Sequence, residues 1–362
     1  MKFFLFLISL FLTSHLFAYA NMIRYGYTSC SACHNAPEGG GILTPYGKGI
    51  AQSTSAVGGE LKENAFIKAI SFEGKVEHAF QFRYSVLKKS FENLKSFPMQ
   101  GDYLNTIHIS PKIRLDTIVG KIGEINNSHK SFADQFILRK FLLAYRPHDG
   151  LEISLGRNAL NFGLREVDHT IFIRQKNKLQ VDDAPTVLSL YRWSKNSSSS
   201  AQILLPGFYE NSNNQEYGLY LRHEMFFHKK FTLGAHLLGG HTETVNRYIG
   251  GIFSRYSPSK YITLHNEFDF TQRSKNISHI DFYQYASYSK ISFFPKDFIE
   301  ISALYEWTQV PYIVFKNREN RYGVSTSFRI NKNISLQFDY RNHQTETTKD
   351  WKYMAQIYFN GW

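Results

Sequence analysis

Three features that are scarce in this chain of 362 residues limit the classes of protein to which it can belong. Its only cysteines are Cys30 and Cys33, so any thiol chemistry is confined to one short segment. After residue 20, no apolar run reaches the roughly 20 residues that a membrane helix requires, which excludes a helical membrane protein. The 42 Lys and Arg residues outnumber the 30 Asp and Glu residues, but they form no compact basic block. We therefore expect no nucleic-acid partner, whereas the net charge of +12 favours anionic lipid headgroups.

What the chain has in excess is aromatic residues in alternating patterns. Phe, Tyr and Trp make up 16% of the residues. The segment 75–86, "KVEHAFQFRYSV", is a clear case, and 260–270 and 335–341 repeat it. One face of it carries Val76, His78, Phe80, Phe82, Tyr84 and Val86, and the other carries Glu77, Ala79, Gln81, Arg83 and Ser85. A period of two predicts β-strands. Because the polar faces bear full charges, they suit a wet lumen better than the core of a soluble β-sandwich, which is the alternative.

The alternating segments and their connections predict an all-β transmembrane antiparallel up-and-down β-barrel. Sixteen candidate strands are 64–73, 75–88, 103–120, 132–146, 150–158, 186–194, 199–208, 215–226, 231–241, 245–257, 260–271, 278–291, 298–307, 320–330, 333–342 and 351–360. Tight connections fall at 147–150, 194–199, 228–230, 257–260, 293–297 and 331–333. They alternate with mostly longer ones, the longest being 159–185, a pattern typical of outer-membrane barrels. Fourteen strands preceded by an N-terminal extension is an alternative.

The first twenty residues predict export. Lys2 precedes the apolar stretch "FFLFLISLFL", and "AYA" at 18–20 resembles a signal-peptidase site. We therefore expect three regions: an export signal at 1–20, a short N-terminal segment at 21–59, and a barrel at 60–362. The expected location is the bacterial outer membrane, in contact with its lipid, with both termini in the periplasm.

The N-terminal segment contains the motif Cys-x-x-Cys-His, formed by Cys30, Cys33 and His34. This spacing is that of covalent haem c attachment: two thiols reach the two vinyl groups of one porphyrin, and the adjacent imidazole faces the iron. We predict one covalent haem c, bound to Cys30 and Cys33, with His34 as the proximal iron ligand. The alternatives are a disulfide, a metal-binding thiol pair, or chance.

The residues after the motif are small and flexible. "GGG" at 39–41 allows close approach to a flat ligand. "LTPYGKG" at 43–49 predicts a rigid turn around Tyr46, and 49–60 predicts a linker. Fewer than about forty residues cannot build an independent core. We therefore expect this segment to plug or line the lumen of a barrel wide enough to hold it.

Over residues 25–50 the sequence resembles the fused outer-membrane cytochrome–porins of iron-oxidising bacteria. The matching residues are Cys30, Cys33, His34, Pro37, Leu43, Thr44, Pro45, Tyr46, Gly47 and Lys48. Over the barrel the resemblance is architectural only. It implies a monohaem cytochrome c that transfers electrons across the outer membrane. Its implied partners are Fe(II), or another reductant outside, and a soluble periplasmic cytochrome.

Several hypotheses stay open at this point. The resemblance is compatible with an electron carrier or an Fe(II) oxidase, and the residues allow electron flow in either direction. A solute porin with a haem-bearing plug, in a structural or sensing role, is the rival function. Acidic pairs such as Glu267 and Asp269 are interpreted as ordinary lumen polarity rather than as an iron site.

The distal haem ligand has four candidates. Met22 is close to the motif in sequence, and strand parity predicts that His108, His236 and His265 face the lumen. His78 falls on the apolar face of its strand and is disfavoured. A second His or a Met would give a six-coordinate iron, and an open or water-ligated position is the alternative.

Overall fold

The fold is a closed antiparallel barrel of sixteen strands, seen in a computed structural model. The structure describes residues 20–57, 71–72, 75–122, 136–164, 166, 171–177, 185–205, 216–275, 281–311 and 316–361. The strands are β1 Val76–Lys89, β2 Lys95–Ser110, β3 Ile113–Ile122, β4 Phe136–His148, β5 Leu151–Arg157, β6 Thr186–Trp193, β7 Ser197–Leu205, β8 Tyr217–His228, β9 Phe231–His241, β10 Val245–Ser259, β11 Ile262–Lys275, β12 Asp281–Lys296, β13 Ile299–Pro311, β14 Lys316–Arg329, β15 Ile334–Gln344 and β16 Lys349–Gly361. Each strand pairs with its neighbours in sequence, and β1 closes the barrel against β16.

Alternation along each strand separates an apolar exterior from a polar lumen, as predicted. On β11, Phe268 is 42% exposed on the outside, whereas Glu267 and Asp269 on either side of it are buried in the lumen. The same outward rows of Leu, Ile, Phe and Tyr recur around the barrel. An apolar band this extensive requires a hydrocarbon environment, because water would leave it uncovered. Separately, none of the described helices has both the length and the apolar character needed to cross a bilayer.

The predicted count of sixteen strands is confirmed, but two predicted bounds are wrong. The segment 103–120 is two strands, β2 and β3, joined by a turn at Pro111–Lys112. There the hydroxyl of Ser110 accepts the backbone N–H groups of Lys112 and Ile113. Most of 89–102, predicted as a loop, belongs to β1 and β2. The predicted strand 64–73 lies mainly outside the described residues; within it, Phe72 makes only an isolated bridge to Val76.

The six predicted tight turns all lie at the same end of the barrel, here called the short-turn rim. The turn at Pro111–Lys112, which the alternation concealed, lies there too, as do the start of β1 and the end of β16. The opposite rim carries the longer connections, among them 158–185. The predicted asymmetry of the barrel is therefore present in the structure.

Residues 20–57, here called the plug, lie inside the lumen at the short-turn rim. The plug contains short 3₁₀ helices at Ala20–Tyr25 and Cys30–Ala32 and an α-helix, α1, at Pro45–Ser53. Arg24 donates to the carbonyl of Lys260 at 3.1 Å and pairs with Asp297 at 3.4 Å. At the other end, the backbone N–H groups of Ala56 and Val57 donate to the carbonyls of Arg329 and Ile330 at 3.0 and 2.8 Å. Both ends of the plug are therefore fastened to turns of the same rim.

The plug shares its apolar core with the barrel wall. The buried members of this cluster are Met22, Cys33, Ile42, Leu43 and Ile50 from the plug and Ala79 and Leu104 from β1 and β2. A segment this short cannot bury enough apolar surface alone. The wall supplies the missing side of the core, which explains how so small a segment folds.

Deeper in the lumen, the connection between β5 and β6 folds inward. Its described parts, 158–164, 166 and 171–177, are here called the inner loop, and they include a short helix, α2, at Phe172–Lys176. The loop packs apolar side chains against lumen residues of five strands. This cluster contains Phe162, Leu164, Ile171, Ile173, Leu204, Tyr220, Leu238, Ile249, Phe253, Ala286 and Tyr288. Plug and inner loop thus fill the lumen at two levels.

Shortening Leu104 to Ala tests whether the wall completes the core of the plug. Leu104 is 2% exposed, and large-to-small changes at such positions destabilise by about 2–5 kcal/mol. We expect the plug to detach more often while the barrel stays folded. Limited proteolysis should therefore digest the plug faster, with the heat-modifiable gel mobility of the barrel unchanged.

The matched control is Leu233→Ala, because Leu233 is a leucine on the barrel exterior, 42% exposed. Its plug should be digested at the wild-type rate. Equal digestion of Leu104→Ala and wild type would show that the plug does not depend on this contact.

Candidate functional site

The Cys-x-x-Cys-His motif forms one tight turn in the plug. The backbone N–H groups of Cys33 and His34 both donate to the carbonyl of Cys30, at 3.1 and 3.0 Å. Ser29 caps the turn by accepting the N–H of Ser31. In 3₁₀ geometry, side chains three residues apart lie one above the other. The turn therefore brings the side chains of Cys30 and Cys33, both free thiols, to one side of the backbone.

His34 is oriented by the glycine loop that follows. Its Nδ1 lies 3.0 Å from the carbonyl oxygen of Gly40. Donation from Nδ1 to this carbonyl selects the tautomer that carries its lone pair on Nε2, as in histidines that ligate metals. Gly39, Gly40 and Gly41 all have positive φ, +87°, +76° and +66°. A Cβ at Gly39 would lie 3.1 Å from the sulfur of Cys30. The loop therefore runs so close to this thiol that glycine is favoured at position 39.

Helix α1 packs end-on against the motif. Thr44 caps it by accepting the N–H of Gly47 at 3.1 Å, and Pro45 occupies its first turn. The N–H of Thr44 donates to the carbonyl of Cys33 at 3.0 Å. A Cβ at Gly47 would lie only 2.2 Å from that carbonyl oxygen, so the approach requires glycine here.

The predicted turn and linker over 43–60 are therefore wrong as far as residue 53. The stretch forms a capped helix instead, and residues 58–60 lie outside the described part of the chain. The pair Thr44-Pro45 is a recognised helix start and could have predicted it. The following glycines obscured that signal, because glycine disfavours helix interiors.

Burial affects the chemistry of the second thiol. Desolvation, with a smaller contribution from neighbouring Cys30, raises the pKa of Cys33 to about 11. Metal binding and disulfide exchange both use the thiolate. The metal-binding thiol pair and the disulfide stay alternative hypotheses for Cys30 and Cys33.

Polar wall residues hold the motif from both sides. Arg255 on β10 donates to the carbonyl of Thr28 at 3.0 Å, before the motif. Arg146 on β4 donates to the carbonyl of Asn35 at 3.0 Å, after it, and the amide of Asn35 donates to Glu77 at 2.7 Å. These anchors were not predicted, because lumen-facing charges alone do not indicate which of them reach the plug.

The three histidines predicted to face the lumen do so. His78 lies on the apolar face, as predicted, where it contacts Tyr103 on its neighbouring strand, with Nδ1 2.5 Å from the tyrosine hydroxyl. Of the three, His108 lies beside the plug: its Nε2 is 3.9 Å from Glu77, the carboxylate that accepts from Asn35. Met22, the fourth candidate, is buried in the plug core.

The other two histidines contact the inner loop rather than the plug. His265 Nδ1 lies 2.5 Å from Oε1 of Glu166. Burial would raise the pKa of Glu166, but the charges of Lys290 and His265 outweigh burial and lower it to about 2. The ring of His236 packs against Phe162, with centroids 4.2 Å apart. Both histidines are therefore less suited than His108 to act as a ligand near His34.

Comparison with solved structures finds outer-membrane proteins of the same fold. Outer-membrane expressed OmpT of Vibrio cholerae aligns with a TM-score of 0.64 at 9% identity, covering 80% of this chain and 98% of that chain. The anion-selective porin from Comamonas acidovorans gives 0.59 at 10% identity, covering 79% and 99%. The outer membrane channel DcaP of Acinetobacter baumannii gives 0.59 at 9% identity, covering 80% and 99%. No protein-family model and no curated protein matches the sequence.

At these identities the likeness concerns the fold alone. It agrees with the prediction of an antiparallel barrel of the outer-membrane porin type. The cofactor prediction is independent of this likeness, and it rests on the motif and on the geometry of the plug.

Proposed function

We propose that the protein is an outer-membrane electron-transfer protein that holds one covalent haem c in the plug of a porin-like barrel. The observation that carries the proposal is the Cys30–His34 turn inside the lumen, with His34 Nδ1 held by the carbonyl of Gly40. A covalent cofactor suits a segment that has only a shared core, because thioether bonds retain the haem without a large pocket.

The residues of the plug fit this cofactor. Cys30 and Cys33 would form the thioethers, and His34 would ligate the iron through Nε2. Gly39 leaves open the space beside the sulfur of Cys30 that a Cβ would narrow. Bound haem would supply one-electron redox chemistry, whose potential the protein sets through axial ligation, burial and hydrogen bonding. Here the chain orients His34, desolvates Cys33 and anchors the motif through Arg255 and Arg146.

The direction of the barrel follows from its turns. Outer-membrane barrels have short turns on the periplasmic side. The short-turn rim, and with it the plug, would then face the periplasm, where a soluble cytochrome could dock. An extracellular reductant, with Fe(II) as the substrate implied by the sequence resemblance, would approach from the opposite rim. The geometry is equally compatible with electrons moving outward.

Haem attachment is directly testable on denaturing gels. Purified wild-type protein should give a peroxidase-stained band at the mass of the chain, because a covalent haem survives denaturation. Cys30→Ala/Cys33→Ala should lose this band completely, while each single variant retains one thioether site. Optical spectra of the same samples measure the haem-to-protein ratio, expected to be one in wild type.

Ser29→Ala/Ser31→Ala is the matched control, since it changes the same turn and leaves both thiols. It should keep the stained band. The contradicting outcome is wild-type protein from outer membranes that carries no haem and whose two thiols are joined under non-reducing conditions. It would support the disulfide alternative instead of the cofactor.

A solute porin with a haem-bearing plug is the second candidate. It is favoured by the fold, because the similar structures include proteins described as a porin and a channel. The net charge of +12 would favour anionic solutes. In this function the haem would have a structural or sensing role.

Liposome swelling separates the two candidates. With the plug in place, we expect wild-type barrels to admit neither a small sugar nor a small anion, because plug and inner loop fill the lumen at two levels. Rapid swelling through wild-type barrels that carry a full complement of haem would favour the porin.

A further inference from the structure

Three buried polar side chains meet in the lumen beneath the inner loop. They are His236 on β9 and Glu267 and Asp269 on β11. One ligand atom from each lies within 4.8 Å of the others. His236 is 2% exposed, Glu267 3% and Asp269 0%. Glu267 and Asp269 share the lumen face of β11 because they are two residues apart.

Strand register and a glycine bring the histidine to the carboxylates. On β10, Gly251 pairs with His236 on one side and with Asp269 on the other. Because Gly251 has no side chain, the two flanking side chains meet above it, with His236 Nε2 3.1 Å from Oδ1 of Asp269. A Cβ at Gly251 would lie 2.1 Å from Asp269 Oδ1 and 2.5 Å from His236 Nε2. The space between the donor atoms thus depends on this glycine.

In each carboxylate, one oxygen accepts a hydrogen bond from the inner loop and the other does not. The N–H of Leu164 donates to Glu267 Oε2 at 2.8 Å, and the amide of Asn177 donates to Asp269 Oδ2 at 3.1 Å. In the described part of the chain, Glu267 Oε1 and both ring nitrogens of His236 make no hydrogen bond of acceptable geometry. The same holds for Asp269 Oδ1, although it lies 3.1 Å from His236 Nε2. Buried polar atoms without partners are strongly disfavoured. One such atom from each of the three side chains can face a common point, which indicates a missing ligand.

The charge around this point indicates that the ligand is a cation. Two carboxylates side by side in a buried site repel each other when both are ionised, and a cation bound between them removes this repulsion. The nearby guanidinium groups are engaged elsewhere: Arg222 pairs with Glu224 at 2.8 Å, and Arg174 donates to the carbonyl of Leu164 at 3.0 Å. One imidazole with two carboxylates suits divalent first-row transition metals, whereas Ca²⁺ and Mg²⁺ prefer oxygen ligands alone.

We propose that His236, Glu267 and Asp269 bind one divalent first-row transition-metal ion in the lumen. The hydrogen bonds from Leu164 and Asn177 fix the carboxylates, as is usual around metal ligands. The ring of Phe162, 4.2 Å from that of His236, and the stacked ring of Phe253 at 6.0 Å hold the imidazole and cover the site. The site does not involve Cys30, Cys33 or His34, so it stands whether or not the plug carries haem.

Metal binding is measured on the full-length protein purified in detergent, stripped with EDTA and titrated with Co²⁺. Cobalt is the probe because elemental analysis separates it from haem iron. Wild type should retain one Co²⁺ per chain after desalting. Glu267→Gln and His236→Ala should each bind Co²⁺ at least tenfold more weakly. Cys30→Ala/Cys33→Ala should bind like wild type.

Glu306→Gln is the matched control. Glu306 is another fully buried lumen carboxylate that accepts an inner-loop N–H, that of Phe172, but it pairs with Arg321 at 2.7 Å. It should retain one Co²⁺. Gly251→Ala keeps all three donors and fills the space between them, so it should also bind at least tenfold more weakly; heat-modifiable gel mobility checks folding of every variant.

Two results would overturn the proposal. One is wild type that retains no more Co²⁺ than Glu267→Gln. The other is equal loss of Co²⁺ in Glu306→Gln and Glu267→Gln, which would mean that the ion depends on general lumen charge rather than on this cluster. X-ray absorption at the cobalt edge identifies the ligands of Co²⁺ in wild type without any variant. The proposal requires an imidazole among them.

Discussion

The plug can fold only because the barrel wall completes its core, and the candidate site depends on this contact. Residues 20–57 contribute Met22, Ile42 and Leu43 to a cluster that Ala79 and Leu104 close from the wall. The stabilisation gained from apolar burial is roughly proportional to the area buried, and the plug alone can bury too little apolar area. The wall therefore fixes the position of the Cys-x-x-Cys-His turn, and polar anchors from Arg146 and Arg255 set its orientation.

The lumen is filled at two levels that differ in chemistry. At the short-turn rim the plug offers two thiols and an oriented imidazole. Beneath the inner loop, aromatic rings surround a histidine and two carboxylates with unpartnered atoms. A plain diffusion pore needs neither arrangement, although its barrel would look the same. In the proposed function, the barrel provides the passage across the membrane, and the plug and inner loop determine what passes.

Much of the barrel could be predicted from the sequence, because lipid outside and polar atoms inside impose a period of two on every strand. Alternation on β11 correctly placed His265, Glu267 and Asp269 in the lumen. It could not reveal the turn at Pro111–Lys112, where the alternation continues through the hairpin. Nor could it predict α1, where glycines obscured the Thr44-Pro45 start.

Contacts between distant strands were beyond the sequence pattern. The interpretation of Glu267 and Asp269 as ordinary lumen polarity missed their meeting with His236. That meeting depends on the register of three strands and on the missing side chain of Gly251. Likewise, nothing in the spacing of the charges indicated that the segment after β5 would fold inward and cover them. Periodicity shows which face a residue occupies, whereas register and loop paths decide its neighbours.

Electron transfer across a sealed membrane tests the central claim most directly. Wild-type protein is reconstituted into liposomes that enclose an oxidised soluble cytochrome, and a membrane-impermeant reductant is added outside. The account predicts reduction of the enclosed cytochrome by wild type and none by Cys30→Ala/Cys33→Ala. Equal reduction rates for the two proteins, or no reduction by wild type that carries haem, would contradict it.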